Sequence, residues 1–138
     1  GTTDGLIPYG NSVNYHESVV DELGERRADN SVRLYLVPGM DHCAGGEGAF
    51  AVDWLTPLER WVENGEEPAA LLGEHPAAAR GPAGAAQPPP SQPFSRPVCP
   101  YPQVATYRGT GDVADAASFE CALPNEGRPT RRLLRGGR

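Results

Sequence analysis

Apolar residues recur at helical spacing early in the chain: Tyr15, Val19 and Leu23 stand four apart with Val20 alongside, after a polar Asn11-Ser12 and before Gly24. Such a stripe predicts one helix of about three turns. The pattern then changes. Val32 to Val37 is a run of β-branched and bulky residues, with polar residues before it and Pro38-Gly39 after it, which predicts a strand. A second helical pattern follows. Thr56, Pro57 and Glu59 form an N-terminal signature, Leu58, Trp61 and Val62 an apolar face, and Gly65 a stop. Phe50, Trp54 and Leu55 extend that face upstream, so this helix is either capped by Thr56 or starts earlier with Pro57 in its first turns. Residues 1–66 therefore read as α/β.

The periodicity then fails. Between Pro76 and Pro93, six residues are Pro and six are Ala. A stretch of that kind buries too little surface to offset its ordering entropy, so residues 67–95 are expected to be a Pro/Ala/Gly-rich loop. Order signals return in 96–123, where Val104, Thr106 and Tyr107 predict a strand and Gly109-Thr110-Gly111-Asp112 a turn. Residues 124–138 carry five Arg and end in Gly136-Gly137-Arg138, as expected of a disordered tail.

Composition narrows the function classes. The 138 residues include 17 Gly and 15 Pro, and only 38% are hydrophobic, so a large single core is not expected. The net charge of -6 argues against a phosphate-tracking surface, because neutralising a nucleic-acid backbone needs clustered Lys and Arg. No nucleic-acid partner is expected. No run approaches the ~20 apolar residues of a membrane span, so no membrane partner is expected either. The single Met is Met40, and the chain is read as continuing from an upstream part or as processed.

Three places could carry chemistry: Asp4, the cluster Asp41-His42-Cys43, and the pair Cys99 and Cys121. Asp4 lies in a Gly-flanked turn, where Asp commonly bonds its own backbone. His42 lies in a Gly-rich loop after the predicted strand, where an α/β scaffold presents reactive side chains. If both loops follow neighbouring parallel strands, the acid and the imidazole come within reach, and an acid beside a histidine fixes the tautomer that a general base needs. A metal site at Asp41, His42 and Cys43 is the competing reading, although adjacent His and Cys are poorly spaced ligands.

The segment Val37-Pro38-Gly39-Met40-Asp41-His42-Cys43-Ala44-Gly45-Gly46 resembles the histidine loop of the tannase and feruloyl esterase family, whose signature is VPGMxHC. Arg96-Pro97-Val98-Cys99-Pro100-Tyr101-Pro102-Gln103, Gly109-Thr110-Gly111-Asp112 and the run ending at Cys121 are similar to that family's C-terminal signature. The resemblance implies the C-terminal part of an α/β-hydrolase sheet, in strand-helix-strand-helix order, with a disulfide-stapled C-terminal segment. Asp4 matches the family's catalytic acid in a G-x-x-D-x-L-I-P pattern, and His42 matches its general base. Thr2-Thr3 stands where Trp-Ala is usual and Gly5 where Pro is common, so the wall of that loop is expected to differ.

By the same resemblance Cys99 pairs with Cys121, and Cys43 pairs with a cysteine next to a nucleophilic serine upstream of residue 1. No Gly-x-Ser-x-Gly elbow occurs in the chain. The implied activity is hydrolysis of galloyl, feruloyl or related phenolic esters by Ser-His-Asp in a secreted or periplasmic protein. The implied partners are a small aromatic ester and the missing N-terminal part. No cofactor is expected here, since the family's calcium lies in a lid domain before this region. The segment is expected to be inactive alone. The alternatives are a disulfide-stapled binding module without catalysis and an inactive truncated remnant. His16 and His75 are expected at the surface.

Overall fold

The computed structural model describes residues 1–77 and 92–124. Most of the Pro/Ala-rich stretch and nearly all of the predicted tail lie outside the described residues.

Helix α1 spans Tyr9–Leu23, starting two residues before the predicted polar opening because Pro8 presets the entry and accepts from the Asn11 N–H at 3.0 Å. Gly24 ends it at φ 78° and donates to Val20 O. The predicted stripe is real but largely uncovered: Tyr15 is 72% and Leu23 42% exposed. A short helix α2, Glu25–Asp29, follows and buries Ala28. Helix α3 spans Leu55–Asn64, so the earlier of its two possible starts is the one observed. Asp53 Oδ1 accepts from the Leu55 and Thr56 amides at 3.1 Å each, which supplies the cap and leaves Pro57 in the first turn. Gly65 closes the helix in the left-handed region, as expected.

The strand expected around Val104 to Tyr107 is present, and the others depart from expectation. Strands β1 (Ala51–Val52), β2 (Leu71–His75) and β3 (Phe94–Val98) form an antiparallel sheet in that order, with Ala51 opposite Glu74 and Leu71 opposite Val98. Strands β4 (Val104–Tyr107) and β5 (Phe119–Ala122) form an antiparallel pair. The order among the described residues is therefore not strand-helix-strand-helix, and these sheets are not parallel. The predicted strand at 32–37 makes one bridge, Tyr35 to Pro100, plus a bond from Tyr101 N to Leu34 O. Its neighbour there contains Pro100 and Pro102, which have no N–H to give, so a ladder cannot propagate.

Strand β2 falls inside the segment expected to be loop. Its residues alternate, with Leu71, Gly73 and His75 inward and Leu72 and Glu74 outward. His75 is thus buried rather than at the surface. Its ring stacks on Phe94 at 4.9 Å, meets Phe50 edge-on at 5.5 Å, and its Nδ1 lies 2.8 Å from Gly48 O. The core gathers Val37, Met40, Leu71 and Val98, flanked by Tyr35, Phe50 and Val52. Ser95 of β3 donates its N–H to Ala114 O and accepts at Oγ from Ala116 N, at 2.9 Å each, and two further links join the sheets. Cys99 and Cys121 are disulfide-bonded with Cα atoms 5.6 Å apart, and the Arg96 guanidinium lies between the rings of Phe94 and Phe119 at 4.9 and 4.2 Å.

Candidate active site

The core residues Val37 and Met40 hold the start of a loop whose tip carries His42. Gly48 N donates to Gly39 O at 3.0 Å, Asp41 N donates to Gly45 O at 3.1 Å, and Met40 bridges Gly46. These bonds close residues 39–48 into a narrow hairpin. Glycine at 46 is required, because its φ is 87° and an added Cβ would fall on Gly39 O. At the tip, Ala44 N donates back to His42 O at 2.8 Å while Cys43 takes φ 64°. That is a three-residue γ-turn with positive φ at a residue bearing a side chain, a strained arrangement directly beside the histidine.

Asp4 is held from its own loop. Its Oδ1 accepts from Leu6 N at 2.8 Å and Ile7 N at 2.9 Å, which fixes the carboxylate and leaves Oδ2 free to point at the hairpin. There Oδ2 meets His42 Nδ1 at 2.8 Å. The Asp4 side chain is 8% exposed and that of His42 43%, so the acid is covered and the imidazole is accessible. The Ile7 N–H, then the His42 imidazole, with Leu6 N–H a smaller contributor, hold the Asp4 carboxyl at about 2 against burial, which pushes it up. An ionised carboxylate only accepts, so Nδ1 carries the proton. Nε2 of the neutral ring is then the basic nitrogen.

Asp4 and His42, paired by spacing in the sequence, are brought together. Thr2 and Thr3, in the sequence only a departure from the usual loop wall, both reach across. Thr2 N donates to Val37 O at 3.1 Å and Thr3 N to Met40 O at 3.2 Å, Gly39 N donates to Thr2 Oγ1 at 3.0 Å, and Thr3 Oγ1 donates to Asp41 Oδ1 at 3.0 Å. Asp41, a possible ligand beside His42, is thereby turned to Thr3. A threonine ahead of a turn carries no signal of a cross-loop bond, so only the fold reveals this. Cys43 is exposed and free, whereas Cys99 and Cys121 are paired as the resemblance implied.

An accessible imidazole backed by a covered carboxylate can move a proton at Nε2, and comparison with known proteins gives the lineage. Residues 1–122 match the family model described as tannase and feruloyl esterase, and the chain belongs to that family. It is 47% identical over 130 residues to mono(2-hydroxyethyl) terephthalate hydrolase of Piscinibacter sakaiensis, covering 90% of this chain and 19% of that protein. It is 40% identical over 125 residues to a probable feruloyl esterase of Arthroderma benhamiae, covering 88% of this chain and 21% of that protein. The crystal structure of an esterase from Aspergillus oryzae superposes with a TM-score of 0.68 at 27% identity, covering 88% of this chain and 26% of that one. The chain thus spans about a fifth to a quarter of the length of these relatives.

Proposed function

We propose that residues 1–138 supply the acid and the base of a Ser-His-Asp carboxylic ester hydrolase acting on aromatic esters, with the nucleophilic serine upstream of residue 1. The 2.8 Å contact between Asp4 Oδ2 and His42 Nδ1 carries this reading. Nε2 of His42 removes the proton of the serine as it attacks the ester carbonyl, and later returns that proton to the leaving alcohol. Asp4 holds the tautomer and stabilises the imidazolium that forms between these steps. Donors for the oxyanion lie with the serine.

Cys43 pairs with a cysteine beside the serine, so the strained turn after His42 is tied to the nucleophile. That pairing and the Cys99–Cys121 bond suit a secreted or periplasmic protein, and no described helix is long and apolar enough to cross a membrane. The acyl group is a galloyl, feruloyl or related aromatic acid, in keeping with the aromatic acyl groups in the names of the relatives. Calcium, which the family resemblance places in a lid, belongs outside these residues.

The test is ester turnover with a gallate ester, a ferulate ester and mono(2-hydroxyethyl) terephthalate. Residues 1–138 alone are expected to be inactive, and the same residues joined to an upstream Cys-Ser segment active. Turnover by residues 1–138 alone that His42→Ala abolishes would overturn the upstream nucleophile.

A further inference from the structure

We propose that Thr3 is a positioning residue for the acid–base pair, acting through Asp41. The inference rests on the esterase reading for its catalytic meaning, and on geometry alone for its structural part.

Thr3 immediately precedes Asp4, and Asp41 immediately precedes His42. The Thr3–Asp41 bond and the Asp4–His42 bond each span 38 residues, so the two side-chain links lie in register on adjacent residues. Backbone bonds tie the same two loops further back, from Thr2 N to Val37 O and from Thr3 N to Met40 O, and Thr2 Oγ1 accepts from Gly39 N. At Gly1 an added Cβ would coincide with Met40 O, so the two strands of chain run against each other without room for a side chain. The acid loop and the histidine hairpin are therefore zipped, with the Thr3–Asp41 link as the last tooth before the reacting pair.

Among the described residues, packing does not supply this alignment. Leu6 and Ile7, the apolar residues beside Asp4, are 77% and 52% exposed, and both Thr3 and Asp41 are at the surface. Hydrogen bonds set the distance between the loops. Asp41 is further confined by its own amide on Gly45 O and by Gly46 beneath its carboxyl carbon. With Asp41 held at both ends, Thr3 fixes the backbone from which the imidazole of His42 projects. An exposed bond adds little to global stability, but a displacement of about 1 Å between catalytic groups can cost up to a hundredfold in rate.

The experiment uses the complete polypeptide that carries residues 1–138. Thr3→Val and Asp41→Ala are each expected to lower kcat about tenfold with KM unchanged, and the double variant to lose no more than either single one. Thr3→Ser and Asp41→Asn, which keep the donor and the acceptor, restore most of the loss. A proton NMR signal of His42 Nδ1–H, sharp in the parent, broadens in Thr3→Val and Asp41→Ala and is sharp again in the two conservative variants. Wild-type kcat in Thr3→Val, losses that multiply in the double variant, or an Asp41→Asn as damaging as Asp41→Ala would each overturn the proposal. The last of these would assign the effect to charge. If the parent polypeptide turns over no ester, the esterase reading fails by itself. The NMR signal then decides the clasp: broadening in Thr3→Val upholds it and an unchanged signal sinks it.

Discussion

At the scale of single residues, the site divides its labour between the two oxygens of Asp4. Oδ1 is spent on the backbone of Leu6 and Ile7, which fixes the carboxylate, and Oδ2 is left to act on His42. Both functions need the ionised form. The carboxyl is lowered from 3.8 to about 2 when folded, so its contribution to stability is complete above about pH 3.8 and lost as pH falls towards 2. A carbon-13 titration of the Asp4 carboxyl should give a midpoint near 2, and Asp4→Asn should flatten the pH dependence of unfolding between those two values. In the complete polypeptide Asp4→Asn is expected to lower kcat by about 10⁴, since the neutral amide no longer secures the Nδ1–H tautomer. A kcat within tenfold of the parent would show that another group orients His42. Asp4 and His42 were legible in the sequence through the G-x-x-D-x-L-I-P and VPGMxHC patterns around them, since an Asp in a Gly-flanked turn by itself signals only the backbone bonds that Oδ1 makes here. Thr2 and Thr3 were not, because a hydroxyl near a turn is most often spent on its own backbone.

At the scale of elements, local signals and tertiary ones part company. The helices were readable because their limits are set by nearby residues: Gly24 and Gly65 end α1 and α3 as their position in the pattern requires. The start of α3 was ambiguous because Phe50, Trp54 and Leu55 extend its apolar face upstream of Thr56, and the carboxylate of Asp53, which takes the amides of Leu55 and Thr56, settles the earlier start. Strands depend on partners. The run from Val32 to Val37 has a strand's composition, but the prolines beside it deny it a ladder. Strand β2 hides in the opposite way, with Gly73 at its centre and Pro76 at its end, and becomes a strand because β1 and β3 flank it. Burial of His75 follows from that sheet and could not be seen without it. The disulfide joining the end of β3 to β5 is the strongest single tie between the two sheets. It closes a separation of 22 residues, so replacing Cys99 and Cys121 together with Ser is expected to cost about 3 kcal/mol, measured by denaturant unfolding under oxidising conditions. A cost under about 1 kcal/mol would mean that Arg96, between Phe94 and Phe119, already holds the sheets together.

At the scale of the whole molecule, much of the apolar surface of the described residues faces water. The core cluster has four buried members, Val37, Met40, Leu71 and Val98, and none of the described large side chains is fully buried. Meanwhile Leu6, Tyr15, Leu55 and Val62 are 77%, 72%, 62% and 77% exposed. The helical faces read from the sequence are present, but the described residues do not cover them. Low apolar content with many Gly and Pro foretold the small core, while the direction in which those faces point is a property of the assembled fold. Hydrophobic burial drives cooperative folding, and the denaturant slope scales with the surface that unfolding exposes. Residues 1–138 by themselves are therefore expected to bind a hydrophobic dye and to unfold in urea with a shallow slope, below about 1 kcal/mol/M. The complete polypeptide should show no dye binding at these faces and a steep transition. The single substitutions Leu55→Ser and Val62→Ser separate the two situations further. Each should leave the isolated segment nearly unchanged, because those side chains already contact water, and each should destabilise the complete polypeptide if the faces are covered there. A steep, dye-free transition of the isolated segment would instead make these faces true solvent surface and the small core sufficient.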